Sequence, residues 1–270
     1  MDNSKVAIIS TVINQELYQK SSQLFPRGIQ KYVIDGINGM HSLYSILYMM
    51  KKLKGRGVEW LIMADEDVLF VNPDLIYSLI EEMKSKNYFV CGVRDGGVIP
   101  NRYFSPYLIN TFFSIINFKE LEIIWNEKDV LKNQYINDNE FTEDLNELKE
   151  PYDVKSIYEP YYCFYFWLRR KNKKILFLEA TTPFSDDRIT TLVYDRTGAE
   201  MLYHTWYART YGTSEKHTNR INKIFELLQF KNNNIVKPIV FKDRTFYIIQ
   251  KIKKLNRRLR MKLQKIGIDL

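Results

Sequence analysis

The chain has 270 residues, enough for one sizeable α/β domain with a full core plus a tail, and too few for two such domains. Its 45% hydrophobic and 14% aromatic content excludes broad disorder, and its most apolar unbroken run, residues 161–168, is far too short to span a bilayer. The formal charge of +8 belongs to one end: residues 241–270 carry ten Lys or Arg against two acids, leaving 30 basic and 30 acidic residues elsewhere, so the body is not expected to bind nucleic acid.

The opening MDNSKVAIIS lacks the basic, apolar and small-residue segments of a secretory signal, and Cys91 and Cys163 lie far apart without a CxxC spacing. The expectation is a cytoplasmic protein with two reduced core thiols. Residues 5–13 (KVAIISTVI) read as a buried first strand carrying Ser10 and Thr11 toward its carboxyl end. Residues 30–34 (QKYVI) read as a second, followed by a turn through Asp35, Gly36, Asn38 and Gly39. Leu43, Ile46, Leu47, Met50 and Leu53 keep helical spacing and stop at Gly55.

The stretch WLIMADEDVLF, residues 60–70, comes next. Five residues of a strand buried on both faces run directly into Asp65, Glu66 and Asp67. Adjacent carboxylates repel and resist desolvation, so the cluster is either well solvated, as in an acidic surface turn, or neutralised by a cation. Oxygen ligands favour Mg²⁺ or Mn²⁺ over zinc, and the carboxyl end of a strand is where open α/β sheets bind ligands.

A helix opens at Pro73 and Asp74 and runs to about Lys86, and residues 88–93 (YFVCGV) return as a strand. This alternation predicts a parallel sheet with right-handed crossovers. The absence of GxGxxG after the first strand disfavours a nicotinamide or flavin site, and the absence of GxxxxGK[ST] excludes a P-loop. Carboxylate-bound metal is the other way to hold phosphate.

Residues 94–107 read as a loop and 109–118 (INTFFSIINF) as a strand, with a helix through Trp125. Residues 126–153 read as a polar insertion or mobile flap, a candidate for contacting an acceptor. Residues 157–170 have strand-to-helix character starting at Glu159 and Pro160, and ILFLE from Ile175 is a strand. Residues 181–202 read as loop-rich with a short strand at Met201, leading to HTWYARTYG, where His204, Arg209 and Gly212 stand out. From Ser214 a helix places Ile221, Ile224, Phe225 and Leu228 on one face. In the tail, Ile248, Ile252, Leu255, Leu259, Leu263 and Ile266 alternate with Lys251, Lys254, Arg257, Arg258, Lys262 and Lys265. The division is a domain over 1–230 and a basic amphipathic tail over 231–270. The tail helix either lies on an anionic membrane through residues 241–270 or packs on the body.

The order of elements over residues 5–212 resembles the metal-dependent nucleotide-sugar glycosyltransferases of GT-A fold, especially bacterial enzymes of surface polysaccharide and lipopolysaccharide biosynthesis. IMADEDVLF is similar to the family's Asp-x-Asp motif, and NTFFSIIN from Asn110 to its acceptor-side strand. EPYYCFYFWLRRKNKKILFLE from Glu159 is similar to the element carrying the base of inverting members, and His204 to the late histidine of the metal shell in some members. The resemblance implies an α/β, GT-A (Rossmann-like) three-layer sandwich with a mostly parallel central sheet, plus a C-terminal helical tail.

It also implies hexosyl transfer from a nucleotide sugar, UDP- or GDP-linked, to a glycan or lipid-linked acceptor, with Mn²⁺ or Mg²⁺ as cofactor. Asp65 would meet the donor ribose or the metal, Asp67 and His204 the metal, Thr11 and Asp35 the base and ribose, and Glu159 would be the catalytic base. Where the family often has an acid pair, this chain has Glu159 followed by Pro160.

On the residues alone, Glu159 also reads as an exposed helix start, His204 as a hydrogen-bonded core histidine and Asp35 as a turn cap. Asp95, Asp186 and Asp187 are further candidates for a base. The same acids would serve a nucleotidyl transferase or phosphohydrolase, and a different class of protein would bind lipid or nucleic acid through the tail alone. The expected location is cytoplasmic, with peripheral attachment to the inner face of a membrane.

Overall fold

Segments rich in β-branched and aromatic residues build a seven-stranded sheet through the middle of the protein. The computed structural model describes residues 2–230 and 237–265; Asn232, Asn233 and Asn234 and the tail position Ile266 lie outside the described residues. In chain order, β1 (Val6–Val12) leads through α1 (Gln15–Ser21) to β2 (Gln30–Asp35), and α2 (Leu43–Leu53) leads to β3 (Trp60–Ala64). After the acidic turn come β4 (Val68–Phe70), α3 (Leu75–Ser85), β5 (Val90–Arg94), β6 (Ile109–Asn117), α4 (Phe118–Ile124), α5 (Glu127–Leu131) and α6 (Tyr162–Arg170). The chain continues with β7 (Ile175–Leu178), β8 (Ala180–Thr181), β9 (Thr191–Tyr194), β10 (Glu200–His204), α7 (Glu215–Leu227), β11 (Ile239–Phe241) and α8 (Arg244–Lys265).

The central sheet has the order β11-β2-β1-β3-β6-β5-β7. Every pairing is parallel except those of β6, which runs antiparallel to both β3 and β5. The reversal has a direct consequence for a site: β6 begins at the edge where β1, β2 and β3 end. A second sheet, β4-β10-β9-β8, is antiparallel throughout.

One face of the central sheet packs α2, α4 and α6, with Ile46, Met49, Leu53 and Leu121 in the same apolar cluster as Ile9 and Ile34. The other face packs α1, α3 and the second sheet, with Ile76, Leu79, Ile80 and Met83 against Ile8 and Ile62. Each such aliphatic side chain contributes about 1.5–3 kcal/mol of burial free energy. The alternation along β1 divides Ala7 and Ile9 from Val6 and Ile8, so one strand feeds both layers. Ile221, Ile224 and Phe225 of α7 close the far side of the second sheet against Leu69 and Leu192. From Tyr162 to Leu168, α6 is buried on all sides, because Phe141 and Leu145 of the 126–153 segment cover what the sheet does not.

The structure differs from the sequence reading in four places. The polar stretch after β1 contains α1, capped by the Asn14 side chain at Leu17 N and buried through Leu17 and Tyr18. Residues 157–161 form no strand, and α6 opens with Tyr162 N donating to Glu159 O. The segment read as loop-rich, 181–202, supplies most of the second sheet. The segment read as an insertion or mobile flap carries α5 and is tied to α6: Arg170 reaches Glu140 at 2.6 Å, and Trp167 Nε1 reaches Asp129 at 2.8 Å. With two to four residues each, β8, β9 and β11 repeat the two-residue alternation at most twice and escape a pattern search.

At Gly92, β5 and β6 approach too closely for a side chain: a Cβ there would lie 2.5 Å from Ile109 Cγ2 and 2.7 Å from Phe113 O. Gly92→Ala is therefore expected to lower unfolding free energy by about 2–4 kcal/mol in chemical denaturation, by forcing apart two central strands. A loss below about 0.5 kcal/mol would show that the pair separates without cost.

Candidate active site

The reversed β6 and the parallel strands converge on a cavity of about 460 Å³. Thr11 at the end of β1, Ile34 of β2, Met63 and Ala64 of β3, and Asn110, Thr111 and Phe112 at the start of β6 all line it. Asp65 N donates to Phe112 O at 2.9 Å, which ties the acidic turn to the first residues of β6. This is the crevice beyond the carboxyl ends of the strands, as the sequence pattern required.

The three acids separate by role. Asp65 and Asp67 meet His204: one ligand atom of each lies within 4.8 Å of the others. Glu66 turns the opposite way chemically, accepting from Ile13 N at 3.0 Å and Asn14 N at 3.2 Å, and so fastens the turn to the end of β1 and the cap of α1. Burial raises the Asp65 carboxyl well above the usual carboxylate range, with Glu66 and Asp67 adding repulsion and Arg209 opposing it. Burial and Asp67 push Glu66 up to about 7, against the pull of its backbone hydrogen bonds.

His204 is delivered by the second sheet. β10 pairs antiparallel with β4 in the register His204 to Val68, and Thr205 N donates to Asp67 O at 3.0 Å. The imidazole stacks on Phe112 at 4.1 Å and places Nε2 3.3 Å from Asp67 Oδ1, while its buried Nδ1 has no hydrogen-bond partner among the described residues. A long contact on one nitrogen and none on the other leave this ring uncommitted to protein partners. Two carboxylates and an imidazole form a donor set that fits a divalent ion of the Mn²⁺ type.

The next residues arch over the cavity. Trp206 and Tyr207 both adopt left-handed backbone, at φ 57° and 62°, a cost of roughly 1 kcal/mol or more each for residues with side chains. They are held there by Trp206 Nε1 on Thr191 Oγ1, Arg220 on Trp206 O, and Tyr207 stacked on His217. Asn14 Nδ2 fastens the same loop through Ala208 O and Tyr211 O. The result presents Arg209, exposed at the cavity wall, to the acids.

Opposite them lies a second charged group. Asp95, fully buried, accepts from Arg102 Nε at 2.7 Å and Nη2 at 2.8 Å, from Asn110 Nδ2 at 2.6 Å, and from the hydroxyls of Tyr161 and Tyr162. Arg102 Nη2 also reaches Glu159 at 2.9 Å. These partners hold the guanidinium charged against its burial. Arg102, Glu159 and Tyr161 all line the cavity.

Of the residues singled out in the sequence, Thr11, Asp65, Asp67, Glu159 and His204 therefore surround one cavity. Asp35 is not in its lining: it accepts from Ile37 N and faces Lys242 at 3.4 Å. Asp95 is enclosed by donors, and Asp187 is bound by Ile189 N, Thr190 N and Arg220, so neither presents a free carboxylate. Sequence reasoning missed Arg102, isolated in a loop, and His41 and Ser42 at the start of α2, all of which line the cavity.

Neither protein-family profiles nor curated protein sequences match this chain. Solved structures give distant partial likenesses. A mannosyltransferase from Pyrobaculum calidifontis in complex with GDP-Man and Mn²⁺ is 12% identical over 44% of this chain and 46% of its own, with a TM-score of 0.33. The likeness thus spans about half of that protein. A glycosyltransferase involved in glycosylation of the major capsid of PBCV-1 is 20% identical over 46% of this chain and 64% of its own, with a TM-score of 0.33. The glycosyltransferase GlyE of Streptococcus pneumoniae TIGR4 is 10% identical over 87% of this chain and 67% of its own, with a TM-score of 0.35.

Proposed function

We propose that the protein is a GT-A-type glycosyltransferase that moves a sugar from a nucleotide-sugar donor to a glycan or lipid-linked acceptor in surface polysaccharide synthesis, with Mn²⁺ or Mg²⁺. The observation that carries this reading is the convergence of Asp65, Asp67 and His204 in a cavity at the carboxyl ends of parallel strands. These three residues would hold the ion, and the imidazole favours Mn²⁺ over Mg²⁺. Bound there, the ion would supply Lewis-acid neutralisation of the charge that grows on the departing diphosphate.

The protein's own groups do the rest. Arg209 adds positive charge on the loop over the same acids, where the leaving diphosphate develops its charge. Thr11 offers a hydroxyl at the end of β1 for the donor nucleotide. Glu159, held by its ion pair with Arg102, accepts the proton of the attacking acceptor hydroxyl. Arg102 is in turn positioned by Asp95, so acceptor-side geometry rests on one buried carboxylate.

The tail has its own specific observation. Phe246 packs its ring against Tyr44 at 5.2 Å, which ties the start of α8 to the body, yet Ile248, Ile252 and Leu255 are each more than half exposed. With Lys251 and Lys253 between them in the chain, this exposed apolar surface would suit the inner surface of an anionic membrane, where lipid-linked acceptors are presented.

Three outcomes are expected. Isothermal titration with UDP, GDP, CDP and dTDP should show binding of one diphosphate in Mn²⁺, none in chelator and none in Asp67→Ala; binding of none by the folded wild type would refute the reading. Released nucleoside diphosphate rather than pyrophosphate would distinguish glycosyl from nucleotidyl transfer.

The raised Asp65 carboxyl has a definite sign: its ionised form is disfavoured in the fold, so at pH 7–8, above its unfolded value, it reduces stability unless a cation is bound. Asp65→Asn should therefore raise the melting temperature of the metal-free protein, by about 2–4 °C for each kcal/mol relieved, while diminishing the stabilisation given by Mn²⁺. A lower metal-free melting temperature would contradict this.

Finally, the wild type should co-sediment with phosphatidylglycerol vesicles and not with phosphatidylcholine vesicles. Ile248→Asp/Ile252→Asp should abolish the association without changing diphosphate binding. Unchanged sedimentation would mean that α8 has another role.

A further inference from the structure

Beside Glu159 the surface is aromatic without being covered. Tyr158 is 69% exposed and Tyr103 57%, large values for side chains of this size. They are not independent. Phe104 stacks face to face on Tyr158 at 4.4 Å, meets Tyr103 at 5.3 Å, and carries the Arg102 guanidinium over its ring at 4.5 Å. The aromatic group is thus built onto the same Arg102 that holds Glu159 in the cavity. Its backbone is fixed as well: Asp153 N donates to Phe104 O, and Gly96 lies so close to Phe104 that a Cβ would stand 2.1 Å from its carbonyl oxygen.

On the other side of Tyr158 is a second cavity of about 630 Å³, lined by Tyr135, Asn137, Asn139 and Ile157 among others. Residues 157–159 therefore run from one cavity to the other: Ile157 lines the second, Tyr158 stands on the ridge, and Glu159 lines the first. Gln134 Nε2 donates to both Ile157 O and Glu159 O at 2.9 Å and pins this ridge. The wall of the second cavity is braced by Arg170, which bonds Glu140, Asn133 Oδ1 and Tyr135 O. Both cavities and the ridge are consequently organised before any ligand arrives.

Exposed aromatic faces alternating with amide and carboxylate side chains suit one class of ligand. A pyranose has an apolar C–H face that lies on an aromatic ring and an equatorial rim of hydroxyls that amides and carboxylates read. We propose that the ridge at Tyr158 with Tyr103, together with the cavity lined by Tyr135, Asn137 and Asn139, binds the acceptor, and that the acceptor is a glycan chain of more than one sugar. Its reactive end enters the first cavity at Glu159 and the preceding sugars cross Tyr158 into the second. This assignment rests on the glycosyl-transfer reading for its direction, since it is that reading which makes the bound glycan an acceptor.

The test is an array of mono- to tetrasaccharides of glucose, galactose, mannose and N-acetylglucosamine, probed with labelled full-length protein. Capture should rise with chain length, fall at least about tenfold in Tyr158→Ala, and persist in Tyr158→Trp. Diphosphate binding in Mn²⁺ should be unchanged in both variants. No capture by the wild type, capture indifferent to chain length, or equal capture by Tyr158→Ala would overturn the proposal. Glycan capture by a wild type that binds no diphosphate would instead remove the donor reading and leave the glycan site standing.

Discussion

The pairing of β4 with β10 is the constraint on which the site depends. Asp67 and His204 come from opposite halves of the chain, and the ladder between Val68–Phe70 and Glu200–His204 is what sets them 3.3 Å apart. It also fixes Thr205 on Asp67 O, after which the chain turns into the strained Trp206–Tyr207 pair and presents Arg209. A small antiparallel sheet, packed on one side by α7 and on the other by the central sheet, thus determines the composition of the cavity. Its burial makes the ladder rigid, and rigidity is what lets two carboxylates stay adjacent in spite of their repulsion.

Much of the central sheet was legible because its strands are long, apolar and separated by amphipathic helices; β1, β2, β3, β5 and β6 fall within a few residues of their expected spans. The acidic turn was legible for the same reason, since three charges after WLIMA break a pattern that is otherwise uninterrupted. Of the second sheet, only the strand around Met201 was legible. Its strands have two to five residues and partners far along the chain, so their stability comes from pairing and burial that no local window contains. His204 could be picked out by its place at the end of an apolar run, and Asp67 by the acidic turn, but the stacking of Phe112 on the imidazole could not.

The Asp95 cluster shows the limit from another side. Asp95, Arg102, Asn110, Tyr161 and Tyr162 span the loop between β5 and β6, the start of β6 and the start of α6, and in sequence each is an ordinary residue in a polar or aromatic setting. Only the fold reveals that one fully buried carboxylate takes five hydrogen bonds from four side chains. Reading Asp95 as a reserve base was reasonable for a loop acid. Its saturation by donors makes it a strut instead, because a carboxylate with every lone pair engaged has no room for a substrate proton.

The two halves of the cavity are consequently built on opposite electrostatic principles. On the side of the acidic turn, burial and the neighbouring carboxylates outweigh the exposed Arg209 at Asp65, so that group is under-compensated. On the Glu159 side each of these charges has an ion-pair partner, with Arg102 shared between Asp95 and Glu159. Carboxylates without a partner favour recruitment of a cation, whereas ion-paired ones hold the shape of their side of the cavity. Under the proposed reading, an anionic donor would suit the first side and a neutral hydroxyl compound the second.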